Sequence, residues 1–331
     1  MTWFRQAASS NDSGKTMFQS HRLLRFALPL IFLLAWPAQA VWARTAPLSF
    51  AFLAVPDAFP AYVAEAEGFF TAEGLDVKLL LVGSAIEREQ LMQAGRIDGM
   101  LNEISSTASQ NRGEIRAKII SIARQPLGNS PGFRIVVGKD SPIKSVDDLA
   151  GVPIGVARHT VIEYVTSRML ASLPKKSIVY QSVPVLPERM QLLMSGQIKA
   201  AVLPDQMGFS AMAAGAREIV NDLAIAGYSL STITFATSSL DKKTTEVKAF
   251  MRAWDKACAV INDNPERFRP LFLKKIGLPK NVAATYPIPP MPRHKVPGPK
   301  QWDDAMAWMV ETKLIDRPPS YSDSVTDAFL P

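Results

Sequence analysis

Apolar and polar positions alternate on two periods along this chain. Short apolar runs of strand length recur at 48–55, 75–82, 97–101 and 117–123, and again at 133–137, 152–157, 178–183 and 198–203. Segments with helical spacing lie between them. Residues 151–166 show one such unit whole. Val152 to Ala157 reads as a buried strand, and Arg158 and His159 leave it. Thr160 stands at an N-cap with Glu163 three positions on, the spacing of a capping box. Val161, Val165, Met169 and Leu173 then share one helix face. Ser84 and Glu87 repeat the cap signal after the second strand. Strands alternating with helices predict an α/β architecture with largely parallel sheets. Ligands of such sheets sit where strands end and helices begin, because free backbone N–H groups and the helix dipole favour a polar group there.

The pattern also repeats at long range. Leu91-Met-Gln-Ala-Gly95-Arg-Ile97-Asp-Gly-Met-Leu101 aligns with Leu192-Leu-Met-Ser-Gly196-Gln-Ile198-Lys-Ala-Ala-Val202. Each is a helix end, a stop glycine, a buried strand and a polar exit. The strand at 48–55 with its helix echoes that at 152–157. Two similar α/β lobes sharing a cleft are expected: 47–132 with 236–331, and 138–230, with crossings near 133–137 and 231–235. From Lys243 helices dominate, and Val247, Met251, Trp254, Cys258 and Ile261 follow one face. The proline-rich segment 279–299 is expected to be surface loop. Trp302 to Leu314 reads as a last amphipathic helix.

Composition narrows the function. The formal charge is +7, but residues 1–40 hold Arg5, Lys15, Arg22 and Arg25 against Asp12; the remainder has 33 basic and 29 acidic residues, or +4. That is too weak for a nucleic-acid surface, and no basic stripe is interleaved with aromatics. Residues 1–43 read as an export signal with an N-terminal extension. His21-Arg22-Leu-Leu-Arg25 is its basic part and Phe26 to Trp36 its apolar run. Cleavage is expected after Ala40 or Ala43, with Met17 as an alternative start. Cys258 is the single cysteine and reads as a buried small hydrophobe. Two histidines outside the signal, His159 and His294, make no zinc set, and no catalytic motif of a protease, esterase or P-loop enzyme is present. Neither cofactor nor metal is expected. His159 and Glu163 form a candidate acid–base pair, more simply a surface pair. Phe59 and Tyr62 are candidates to stack on a ligand ring, with core packing the simpler reading. Glu103 and Asp205 close opposed strands; facing one cleft, they would disfavour an anion.

Four stretches carry a family resemblance: Phe69-Phe-Thr-Ala-Glu-Gly-Leu-Asp-Val77, Ala94-Gly-Arg-Ile-Asp98, Val146-Asp-Asp-Leu-Ala-Gly151 and Leu193-Met-Ser-Gly-Gln-Ile198. In this order they resemble the nitrate/sulfonate/taurine class of ABC-transporter substrate-binding proteins, which includes relatives of the thiamine-pyrimidine synthesis proteins. The resemblance runs from about residue 48 to the C-terminus. It implies a type II periplasmic-binding-protein fold, with ligand between two α/β lobes. It implies a monomeric periplasmic protein that captures a small polar organic molecule or anion and hands it to an ABC permease in the inner membrane. Its ligand contacts, carried to matching positions, are Phe59, Ser84, Ala85, Asn102 and Glu103 in the first lobe. In the second they are His159, Thr160 and Asp205. The cysteine-rich motif of the pyrimidine-synthesis branch is missing. A periplasmic enzyme or a ligand sensor on the same fold is the alternative.

Overall fold

The chain runs from β1 (Leu48–Phe52) through a 3₁₀ turn into α1 (Phe59–Ala66) and α2 (Phe69–Ala72). There follow β2 (Val77–Leu81), α3 (Ala85–Gln93), β3 (Gly99–Asn102), α4 (Ile104–Gln110) and β4 (Ala117–Arg124). Next come β5 (Phe133–Val137), β6 (Pro153–Val156), α5 (Val161–Met169), β7 (Val179–Ser182) and α6 (Leu186–Met194). β8 (Ala200–Pro204), α7 (Asp205–Ala213), β9 (Arg217–Asn221) and β10 (Ser231–Ala236) complete the strands. The C-terminal part is helical: α8 (Thr237–Lys242), α9 (Thr244–Asp263), α10 (Arg269–Lys275), α11 (Pro299–Glu311) and α12 (Tyr321–Ser324). This computed structural model describes residues 47–331 apart from Ala226, all within one compact unit. The export signal and both cleavage positions lie outside the described residues. Among the described residues no helix is long and apolar enough to cross a membrane.

The strands form two five-stranded sheets, ordered β2-β1-β3-β10-β4 and β7-β6-β8-β5-β9. They match position for position. In each sheet three strands run parallel and the fourth is antiparallel to both its neighbours. The repeat read at 91–101 and 192–202 is thus a structural one, α3–β3 against α6–β8. It extends backwards, since Glu87-Arg88 and Glu188-Arg189 occupy the same places. Both helices stop at glycines with positive φ, 63° at Gly95 and 75° at Gly196. An L side chain is disfavoured there.

The crossings expected near 133–137 and 231–235 are themselves strands. β5 lies between β8 and β9, and β10 between β3 and β4. Ile135, Val136 and Val137 have no exposed surface, so this run is sheet interior. The passages between sheets are 125–132 and 222–230. Asp222 ties them together: its carboxylate accepts N–H groups of Gly132 at 2.8 Å and Phe133 at 3.0 Å.

Val247, Met251, Trp254, Cys258 and Ile261 all face the first sheet's core, as their spacing predicts. Cys258 is fully buried, and desolvation pushes its thiol pKa up. α11 belongs to neither lobe alone. Trp302, Ala305, Met306 and Met309 share one apolar cluster with Ile104 and Ile119 of the first lobe and with Ile154 and Val165 of the second. Asp304 accepts from Tyr164 Oη at 2.8 Å and Arg168 Nε at 2.6 Å.

Asp98, in one of the stretches that carry the resemblance, is a structural joint. It accepts from Ser49 N at 2.8 Å, Ser239 Oγ at 2.8 Å and Lys243 Nζ at 2.9 Å. Burial alone would raise its pKa, but these donors hold it below the ordinary carboxylate value. A depressed folded-state pKa gives stability that is present above the unfolded pKa and lost as pH falls through the folded one. Asp98→Asn is therefore expected to cost about 1.5–3 kcal/mol at pH 7. The deficit should shrink as the wild type is acidified below the ordinary carboxylate range. Urea melts of both proteins across that range test it; a gap independent of pH would refute the ionic part.

Candidate functional site

Strand ends and helix starts of both lobes meet around a cavity of about 310 Å³. From the first lobe come Leu53, Val55 and Pro56 after β1, Ala85 opening α3, and Leu101 near the end of β3. From the second come Val161 and Ile162 opening α5, Leu186 opening α6, and Pro204 closing β8. The passages between the sheets add Pro126 and Leu230, and the start of β5 adds Phe133. The accessible wall is thus mostly apolar, with nine polar or charged residues set into it, as in pockets that bind small organic molecules. Ala85 and Leu186 are equivalent in the repeat, as are Glu103 and Pro204, and all four line the cavity.

Three of the eight residues carried over from the resemblance reach the wall: Ala85, Asn102 and Glu103. Asn102 is 1% exposed and its amide is already engaged. Its Nδ2 donates to Thr107 Oγ1 at 2.9 Å, and its Oδ1 accepts from Thr232 at 2.9 Å and Thr234 at 2.6 Å. It therefore holds the ends of β3 and β10 together. Glu103 opens α4, and Arg88 Nη2 donates to it at 3.4 Å. Desolvation raises its pKa, and Arg88 offsets part of that rise.

The other five are placed elsewhere. Phe59 has no exposed surface and meets Phe272 edge to face, ring centroids 4.8 Å apart. Tyr62 likewise packs on Phe52 at 5.2 Å. Neither ring reaches the cavity wall, because α1 turns its apolar face to the core. Ser84 is an N-cap whose Oγ accepts from Glu87 N at 3.1 Å. Thr160 Oγ1 accepts from Ile162 N at 3.2 Å and donates to Ala157 O at 2.8 Å. His159 is held at φ 63°, its N–H donating to Glu163 Oε2 at 2.6 Å. Glu163 thus pairs with the His159 main chain and with Arg158 Nε at 3.1 Å, not with the imidazole. The reciprocal capping box is not closed at either: Glu87 accepts from Gly83 N and Glu163 from His159 N, one residue before the cap, and with the Ser84 and Thr160 hydroxyls each helix start is already partly satisfied. Asp205 is 3% exposed and is not on the cavity wall. It accepts from Arg134 Nε at 2.7 Å and Tyr286 Oη at 2.6 Å. Its neighbours Pro204 and Gln206 line the wall instead.

The spacing alone did not single out Asp57, Arg88, Arg124 and Ser231, which also line the cavity. Arg124 ends β4, a strand whose other members are buried except for half-buried Lys118. An arginine in such a position needs an anionic or carbonyl partner, and that was the available signal. It donates to Asp57 Oδ1 at 3.3 Å and Pro131 O at 2.8 Å. The wall therefore carries two guanidiniums, each beside a carboxylate. Among the described residues it presents no cysteine or histidine, and no cluster of groups able to hold a metal ion is found.

A profile of the family described as NMT1/THI5 like matches residues 55–268. No curated protein matches the sequence. Solved structures do. The periplasmic aliphatic sulphonate binding protein SsuA of Escherichia coli superposes with a TM-score of 0.71 at 15% identity, over 85% of this chain and 92% of that one. The alkanesulfonate-binding protein SsuA of Xanthomonas axonopodis pv. citri, bound to MOPS, gives 0.67 at 16% identity, over 86% and 99%. The desulfurization enzyme DSZB, as a mutant in complex with biphenyl-2-sulfinic acid, also gives 0.67 at 16%, over 86% and 97%. At these identities the likeness is one of fold. The expected two-lobed periplasmic-binding-protein architecture is the one observed.

Proposed function

This chain belongs to the NMT1/THI5-like family, and from that premise we propose that it is an extracytoplasmic solute-binding protein. It captures a small organic molecule between its lobes in the periplasm and delivers it, as a monomer, to an ABC importer in the inner membrane. The solute classes that family likeness suggests are sulfonates, nitrate or taurine, and pyrimidine precursors. One observation carries the reading: the 310 Å³ cavity is walled by strand ends and helix starts of both lobes. A ligand there contacts both lobes at once and so favours their closed arrangement.

The neighbouring folds support capture without excluding chemistry, since DSZB is described as an enzyme. The wall supports capture more than turnover. Its carboxylates stand beside guanidiniums, and Ser229, whose hydroxyl bonds Asp222, is engaged with the carboxylate that ties the passages between the sheets.

Native mass spectrometry of the protein purified from a periplasmic extract tests the reading. One small organic compound per chain is expected, released unaltered on denaturation. Folded protein that carries nothing and gains no thermal stability from any member of a solute library would overturn it. So would release of a chemically changed compound when the carried one is added back.

A further inference from the structure

Four buried side-chain polar atoms lack a hydrogen-bond partner among the described residues: Arg88 Nε, Arg124 Nε, Ser231 Oγ and Trp254 Nε1. The first three belong to residues on the wall of the interlobe cavity described above. Trp254, on α9, lies in the core of the first lobe. Arg88 is 3% exposed and Arg124 6%, and Ser231 sits opposite Arg124 in the β10–β4 pair. Guanidinium nitrogens donate only, and the serine hydroxyl also can donate. Buried polar groups are normally partnered, and a cluster that is not calls for an explanation.

The internal repeat sharpens this. Arg189 stands in the second lobe where Arg88 stands in the first. Its guanidinium donates to three main-chain carbonyls: Val183 at 2.8 Å, Val202 at 2.8 Å and Pro184 at 3.3 Å. Arg88 has instead a long hydrogen bond to Glu103 at 3.4 Å and an ionic contact with Glu89 at 3.7 Å. One arginine is used up by carbonyls of its own lobe, and its counterpart, a residue of the cavity wall, has only carboxylate contacts and a buried Nε without a partner.

Charge decides what the acceptor can be. The wall holds Arg88 and Arg124 against Asp57 and Glu103, a net of zero, among leucine, valine, isoleucine and proline side chains. An anion would bring its charge to Asp57 and Glu103 where little water screens it, and a cation would meet both arginines. Resting on the solute-binding reading above, we infer that the cavity takes uncharged solutes with an apolar body and an acceptor-rich head. The body lies on Leu101, Phe133, Ile162 and Leu230. The head, such as a sulfone, amide or ester oxygen, accepts from Arg88, Arg124 and Ser231.

Three probes share a ring and nearly the same bulk but differ in charge: methyl phenyl sulfone, benzenesulfonate and benzylammonium. Calorimetric titration into protein refolded from urea, which strips any carried compound, compares them. The sulfone is expected to bind at least about tenfold more tightly than either ion. Ser231→Ala should weaken the sulfone about five- to tenfold by deleting one donor. Equal or tighter binding of either ion, binding of none of the three, or an unaffected Ser231→Ala overturns the inference. Preference for an ion by a protein that carries a small molecule on purification would leave the solute-binding reading standing and end this one. No carried compound and no bound probe would end both.

Discussion

Replacing Arg124 with leucine is expected to lower the folding free energy by about 3–5 kcal/mol, the range for removing one partner from a buried ionic group. The guanidinium is 6% exposed and lies 3.3 Å from Asp57 and 3.8 Å from Asp205. Burial alone would lower its pKa, but Asp57, Tyr286 and Asp205 raise it above the ordinary arginine value. Without it, Asp57 and the carbonyl of Pro131 lose their donor in an aliphatic surrounding. Asp205 keeps Arg134 and Tyr286, and Asp57 keeps some water, so the lower end of the range is the expectation. Removing Asp57 as well should restore part of the loss, because the stranded charge goes with it. Urea denaturation of the wild type, Arg124→Leu and Arg124→Leu/Asp57→Leu at pH 7 measures all three terms. A loss below about 1 kcal/mol would place Arg124 among ordinary surface charges.

Local signals in the sequence proved readable where cause and effect lie within a few residues. Thr160 with Glu163 and Ser84 with Glu87 cap the helices they announce, and Gly95 and Gly196 stop theirs. The repeat was readable for the same reason, since each copy is a self-contained helix, turn and strand. β5 and β10 were not. Their apolar runs say "extended", but whether an extended run is a linker or a sheet strand depends on distant partners. Arg134 pairs with Leu203, and Thr232 with Asn102, and nothing within either run names those residues.

The site shows the same limit at finer scale. Strand exits located the cleft, but one step along the chain decides which side chain faces it. Thr160 gives both hydrogen-bonding functions of its hydroxyl to the turn and the helix start, so Val161 and Ile162 form the wall. Asp205 is drawn inward by Tyr286, which comes from the proline-rich segment 81 positions away. With Asp205 turned inward, Pro204 and Gln206 are left on the cavity. The carboxylates that do face it, Asp57 and Glu103, each stand beside an arginine. The expected clash with an anion therefore becomes a balanced pair of pairs, which only the three-dimensional arrangement reveals.

Trp302→Ala is expected to cost about 3–5 kcal/mol, and the reason reaches beyond a cavity in one core. Trp302 is 1% exposed, and its Nε1 donates to Pro319 O at 3.2 Å. Its cluster joins α4 and β4 of the first lobe to β6 and α5 of the second, with α11 between them. Asp304, two residues on, fastens α11 to Tyr164 and Arg168 of α5. Any movement of one lobe on the other must therefore pivot about this contact or break it. Removing the indole deletes apolar packing shared by both lobes, so it should also loosen their coupling. Equilibrium denaturation in urea, followed by circular dichroism, is expected to show a lower midpoint and a broader transition as the lobes cease to unfold together. An equally sharp transition with the full loss of stability would mean that α11 fills a core without coupling the lobes. A loss under about 1 kcal/mol would mean that the site collapses around the smaller side chain, contrary to what a fully packed cluster allows.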